Sequence, residues 1–142
     1  MSTLASIALL VFAADQLLKW MLRRALTTRV TPLGPFGSIR LVPSRVWLAR
    51  IGASHPRVIW TVWLIAATPL VAVAAWTPSA IPWVGVLVGG SFSHALESTV
   101  RGVVSDYICL RFWPAFNLAD VAIVAGGIGV IVTLTAYVVG AR

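Results

Sequence analysis

The sequence predicts an all-α membrane protein: a four-transmembrane-helix bundle with a small extramembrane β-cradle and a short interfacial segment on the same face. Three observations carry this reading. The 142 residues are 59% hydrophobic and only 11% charged, with a mean hydropathy of +0.93, far from ordinary soluble domains. Four windows, at about 4–22, 58–76, 81–96 and 118–141, each approach the ~20 apolar residues that cross hydrocarbon. The four scarce acids all gather toward one face, Asp15, Glu97 and Asp120 toward matching ends of those windows and Asp106 inside the second excursion. The whole chain, 1–142, reads as one integral membrane domain.

The first window has no basic stretch before it, is longer than the apolar part of a signal peptide, and carries Asp15 and Lys19 at its far end. It is therefore read as the first span. Asp15 and Lys19 stand at i and i+4, acid first, the favourable order on a helix, so mutual neutralisation near the interface explains them without chemistry.

If the helices alternate direction, the excursions at about 23–57 and 99–117 emerge on one side, and the Thr77-Pro78-Ser79-Ala80 turn is on the other. The first excursion is punctuated by Pro32, Gly34, Pro35, Gly37 and Pro43, which opposes a long helix. Short strands are expected around Ile39 to Val42 and Arg45 to Leu48. Trp47, Trp60, Trp76, Trp83 and Trp113 lie near span ends, where indoles favour the headgroup zone.

Span three carries Gly85, Gly89 and Ser93 at four-residue steps, and span four carries Ala125 and Gly129 likewise, which predicts close helix contact. His94, Glu97 and Arg101 follow at helical steps. A Glu97 to Arg101 pair is the structural expectation there, with substrate contact second.

The stretch "RGVVSDYICLRFWPAFNLAD" holds Asp106 and Asp120, separated by the helix-breaking Pro114. Extended, its first half puts Asp106 on a face with Val104, Ile108, Leu110 and Phe112, where an unpaired carboxylate is costly. Two carboxylates in a poorly solvated site share a proton, leaving an acid and a base able to activate water on a peptide carbonyl. Plainer readings stand beside this one. Asn117 as N-cap with Asp120 at N3 describes a capped helix equally well, and Asp106 also reads as an ordinary interfacial loop acid.

A single cysteine, Cys109, and two distant histidines give no disulfide, no cysteine-based metal cage and no implied cofactor. The net charge of +7 lies outside the apolar windows, so lipid phosphate rather than nucleic acid is the expected counter-charge. Acids gathered at one face, not strung across the membrane, disfavour a proton-path transporter.

Four ordered pieces, "DQLLKW", "GGSFSHALES", "RGVVSDY" and "WPAFNLAD", resemble the lipoprotein signal peptidase (signal peptidase II) family. The resemblance implies an aspartic endopeptidase of the bacterial cytoplasmic membrane that removes signal peptides from diacylglyceryl-modified prolipoproteins. It implies Asp106 and Asp120 as the catalytic pair, supported by Asn117 and Ala119 and organised by Asp15 and Lys19. It further implies a first excursion that forms a lipopeptide-holding cradle, with the active site at the outer leaflet.

The positive-inside rule alone would put the Arg23, Arg24, Arg29, Arg40, Arg45, Arg50 and Arg57 excursion in the cytoplasm; on the outer side these arginines would meet membrane phospholipid. Departures from the family pattern are His94 for Asn, Glu97 for Asp and Ser98 for Arg after span three, and "SRVWL" where the cradle carries Asn-x-Gly-x-Ala-Phe. The alternative reading is an inactive or inhibitor-resistant relative that binds lipopeptides or serves with an unidentified membrane subunit.

Overall fold

The computed structural model describes residues 1–26, 30–44 and 55–140. Among the described residues four helices are long and apolar enough to cross a membrane. They are α1 (Ser2–Ala25), α2 (Pro56–Trp76), α3 (Ile81–Arg101) and α4 (Leu118–Gly140). Between α1 and α2 lie β1 (Thr31–Pro32) and β2 (Gly37–Ser44), and between α3 and α4 lies β3 (Val104–Leu110). The expected second strand near Arg45 to Leu48, and Trp47 with it, lies outside the described residues.

The strands make one antiparallel sheet in the order β1-β2-β3. Gly37 pairs with Leu110, Ile39 with Ile108, and Val42 with Asp106, with an irregularity between Ile39 and Val42. The two excursions thus form a single sheet, and β3 carries Asp106 within it. Phe112 does not continue the apolar face of the strand: β3 has ended, and Phe112 sits exposed in the following turn. The backbone then doubles back, Phe116 bridging Ile108, and enters α4.

Small residues bring the helices together. A side chain added at Gly85 would meet Ile7 and the Leu4 carbonyl, and one at Gly89 would meet the backbone of Ala8, so α1 lies directly on α3. On the α4 side the close approach is made by Ala122, Gly126 and Gly129 against Leu87, Gly90 and Trp83. Ala125, expected in that contact, faces outward, because the four-residue step from Gly129 falls one position off the buried stripe. Away from the sheet, Leu4, Ala74, Ala80, Val84 and Val130 close the core near the α2–α3 turn.

The Trp60 ring packs on Trp63 and Phe92, with centroids 5.8 and 5.3 Å away. Trp63 also donates to Ser91 Oγ at 3.1 Å, tying α2 to α3. Helix α3 does not stop near residue 96 but runs to Arg101, where Gly102 takes the left-handed conformation and its amide caps the Ser98 carbonyl. This last turn holds Glu97, which is buried inside the bundle.

Candidate active site

The sheet end of the bundle holds two linked polar clusters. In the deeper one, Lys19 lies between two carboxylates, 2.8 Å from Asp15 Oδ2 and 2.7 Å from Glu97 Oε2, all three fully withdrawn from solvent or nearly so. Glu97 Oε1 accepts from Arg23 at 2.9 Å and from Ser105 Oγ at 2.8 Å. Ser93 Oγ donates to Asp15 Oδ2 at 2.6 Å. Among the described residues no buried side-chain polar atom is left without a hydrogen-bond partner. A cluster so satisfied is rigid, whereas one missing member would strand a buried charge.

Glu97 therefore pairs with Lys19 and Arg23, not with Arg101. Its buried position turns it toward α1, while Arg101, one turn on, is exposed. Arg23 likewise reaches inward, although the sequence placed it among arginines facing lipid phosphate. Its i+4 step from Lys19 and i+8 step from Asp15 was the available signal.

The shallower cluster is built on the start of α4. A helix begins with amides that have no internal partner, and here three elements supply them. Leu118 N donates to Tyr107 Oη at 2.9 Å, Ala119 N to Asp15 Oδ1 at 3.1 Å, and Asp120 N to Asn117 Oδ1 at 3.1 Å. In return, Asn117 N donates to Asp120 Oδ2 at 2.8 Å, completing a reciprocal capping box. The capping described from spacing is thus present, and it holds Asp120 in place. Tyr107, which sequence reasoning passed over, is buried, and that burial pushes its phenol up to about 12, so it stays neutral.

Asn117 is the hinge of the cluster. Its Nδ2 donates to Asp106 Oδ1 at 2.6 Å, while its Oδ1 caps Asp120. One buried residue therefore bonds both acids, the Asp106 carboxylate through its carboxamide and the Asp120 carboxylate through its backbone N–H. Asp106 is almost wholly buried, whereas the Asp120 side chain is 37% exposed. Burial pushes the Asp106 carboxyl above the ordinary carboxylate range and the nearby Asp120 charge adds to this, against hydrogen bonding from Ser44 and Asn117 and the His94 charge. His94 Nε2 lies 3.2 Å from Asn117 Oδ1 and 3.5 Å from Asp120 Oδ1.

From Asp120 an apolar groove runs along the outer side of α4, lined by Trp113, Phe116, Val121, Val124 and Ile128. The described residues contain no cluster of three or more His, Cys, Asp or Glu side chains able to hold a metal ion. Of the residues singled out in the sequence, Asp15, Lys19, His94, Glu97, Asp106, Asn117, Ala119 and Asp120 meet at this end of the bundle, and Arg101 stays outside.

Residues 7–136 match the protein family described as Signal peptidase (SPase) II. The chain belongs to the signal peptidase II family. A lipoprotein signal peptidase of Syntrophomonas wolfei is 48% identical over 44 residues, which are 31% of this chain and 30% of that protein. One of Xylella fastidiosa strain 9a5c is 41% identical over 49 residues, 32% of this chain and 29% of that protein. These alignments span less than a third of each curated relative.

The fold extends much further than these alignments. A solved bacterial membrane enzyme superposes with a TM-score of 0.81 at 21% identity, covering 100% of this chain and 93% of its own. A second gives 0.77 at 22% identity over 94% of this chain and 93% of its own. At these identities the likeness establishes architecture, and it agrees with the family match that this is a bacterial membrane protein.

Proposed function

We propose that this protein is a membrane aspartic endopeptidase that removes the signal peptide from diacylglyceryl-modified bacterial prolipoproteins, with Asp106 and Asp120 as its catalytic pair. The observation that carries the reading is the Asn117 side chain, which bonds Asp106 through Nδ2 and caps Asp120 through Oδ1. Two acids held by one residue, Asp106 through the Asn117 carboxamide and Asp120 through the Asn117 backbone N–H, one buried and one open to a groove, have the asymmetry that acid and base roles need. Membership of the signal peptidase II family supports the substrate class.

In the proposed cycle the pair shares one proton, held on Asp106, where burial favours the neutral form. Asp120, as carboxylate, takes a proton from water, and the water oxygen bonds to the scissile carbonyl carbon. Asp106 gives its proton to the carbonyl oxygen, producing a neutral gem-diol without a free oxyanion. Asp120 then passes its proton to the leaving nitrogen as the C–N bond breaks, and Asp106 recovers a proton from a gem-diol hydroxyl. The starting protonation state returns and no cofactor is consumed.

The remaining residues hold this pair. Asn117 and Ala119 position Asp120 through the helix start. Asp15 and Lys19 anchor that helix start to α1, and Glu97 links Lys19 to α3 and, through Ser105, to the strand bearing Asp106. The groove beside Asp120 suits an apolar peptide or acyl segment entering from the bilayer. Membrane phospholipid is the other expected contact, with the site at the outer leaflet of the cytoplasmic membrane.

The test is incubation of the purified protein with a diacylglyceryl-modified prolipoprotein in lipid, with products read by mass spectrometry. Cleavage immediately before the modified cysteine is expected. Binding of the substrate without cleavage would contradict the reading and favour a non-cleaving lipopeptide-binding role.

A further inference from the structure

We propose that His94 is a positioning residue for the carboxylate pair, acting by fixing which way the Asn117 carboxamide faces. The inference rests on the reading of Asp106 and Asp120 as the catalytic pair. It starts from a hydrogen-bond account of one side chain. Asn117 Nδ2 faces Asp106 Oδ1 at 2.6 Å and the Ser105 carbonyl at 3.5 Å, both acceptors. Asn117 Oδ1 faces the Asp120 amide at 3.1 Å, a donor.

His94 Nε2 meets Asn117 Oδ1 at 3.2 Å and Asp120 Oδ1 at 3.5 Å, and both of these are acceptors. Nε2 must therefore carry a hydrogen, whether the ring is neutral or charged. That hydrogen has a consequence beyond its own bond. Rotating the carboxamide by half a turn would aim its N–H groups at both His94 Nε2–H and the Asp120 amide, leaving donors opposed to donors. It would also present Oδ1 to Asp106, an arrangement that a protonated Asp106 satisfies by donating its proton to Asn117.

In that flipped state the acid's proton is committed to a neighbour and withdrawn from the substrate carbonyl. His94 therefore does more than fill space beside α4. By placing a donor against Oδ1 it penalises the flip and keeps the Asp106 proton available for transfer. The effect is on turnover rather than substrate affinity, because neither His94 nor the flip alters the apolar groove beside Asp120.

Two substitutions in the full-length protein separate the donor from the ring. His94→Gln keeps an N–H donor at similar reach, and His94→Ala removes it. With diacylglyceryl-modified prolipoprotein in lipid, His94→Ala is expected to lower kcat about 10- to 100-fold with KM changed by less than about 3-fold, and His94→Gln to restore most of kcat. A second readout needs no turnover: nitrogen–proton correlation spectra of 15N-histidine-labelled protein, with His55→Gln used to assign the two rings, should show His94 protonated at Nε2.

A bare Nε2 overturns the inference, as does a folded His94→Ala variant with wild-type kcat. Loss of kcat in His94→Gln equal to that in His94→Ala would also overturn it. Failure of the pair itself is distinguishable, since Asp106→Asn would then still cleave whatever His94 does.

Discussion

Asn117 Nδ2 lies 2.6 Å from Asp106 Oδ1, so the residue that starts α4 also holds the acid of β3. A cap position and a site position coincide in one side chain. Stability and activity therefore respond differently to its replacement, according to which of its bonds the new residue can keep.

Asn117→Ser retains an N-cap oxygen but cannot reach Asp106, whereas Asn117→Ala loses both. The Ser variant is expected to be more stable than the Ala variant by about 1 kcal/mol. Both are expected to lose most of their cleavage activity. Thermal unfolding in detergent, beside a prolipoprotein cleavage assay, checks the two parts separately.

Lys19→Met leaves Asp15 and Glu97 facing each other in a buried site without their common cation. A loss of about 3 to 5 kcal/mol is expected. The triple variant Asp15→Asn, Lys19→Met, Glu97→Gln should recover part of that loss, because no fully buried charge is then stranded and Arg23, which loses the Glu97 carboxylate, is partly exposed. Equal unfolding of Lys19→Met and wild type would show that the Asp15–Lys19–Glu97 cluster adds nothing to stability.

The pH dependence follows from the raised Asp106 carboxyl. A group whose folded-state value is raised contributes stability that is fully present below its unfolded value and lost as pH rises through the folded one. Stability should thus decline from the ordinary carboxylate range upward, and Asp106→Asn should flatten that decline. Cleavage by the wild type should fall over the same rise in pH as Asp106 gives up its proton. Melting temperatures and rates measured across one pH series decide both points.

Gly89→Ala puts a methyl group against the backbone of Ala8, where no side chain can move aside. The expected cost is about 1 to 3 kcal/mol, by forcing α1 away from α3. Gly140→Ala meets nothing within 4 Å and serves as the control, with no measurable change in melting temperature.

Much of this architecture is legible in the sequence, for identifiable reasons. Apolar windows declare spans because lipid tolerates few charges, and the rarity of acids made Asp106 and Asp120 conspicuous. The Asn117 to Asp120 interval is a local three-residue relation, so capping was readable too. Tyr107 was not, because β3 is covered on both sides near α4: Asp106 and Tyr107 are both buried, and no alternating pattern marks which one matters. The partners of Glu97 were hidden for a different reason. Arg101 is near in sequence, but Lys19 and Arg23 are about 75 positions away and meet it only because Gly85 and Gly89 let α1 lie against α3.

The central claim is tested most directly by Asp106→Asn and Asp120→Asn, each purified with unchanged folding and assayed on a diacylglyceryl-modified prolipoprotein. Asn at position 120 keeps an oxygen for the Asn117 amide, and Asn at position 106 keeps one for Nδ2, so both variants should fold. Each is expected to lose at least about 100-fold in cleavage rate. A folded variant of either kind that cleaves at the wild-type rate would contradict the assignment of these two carboxylates as the catalytic pair.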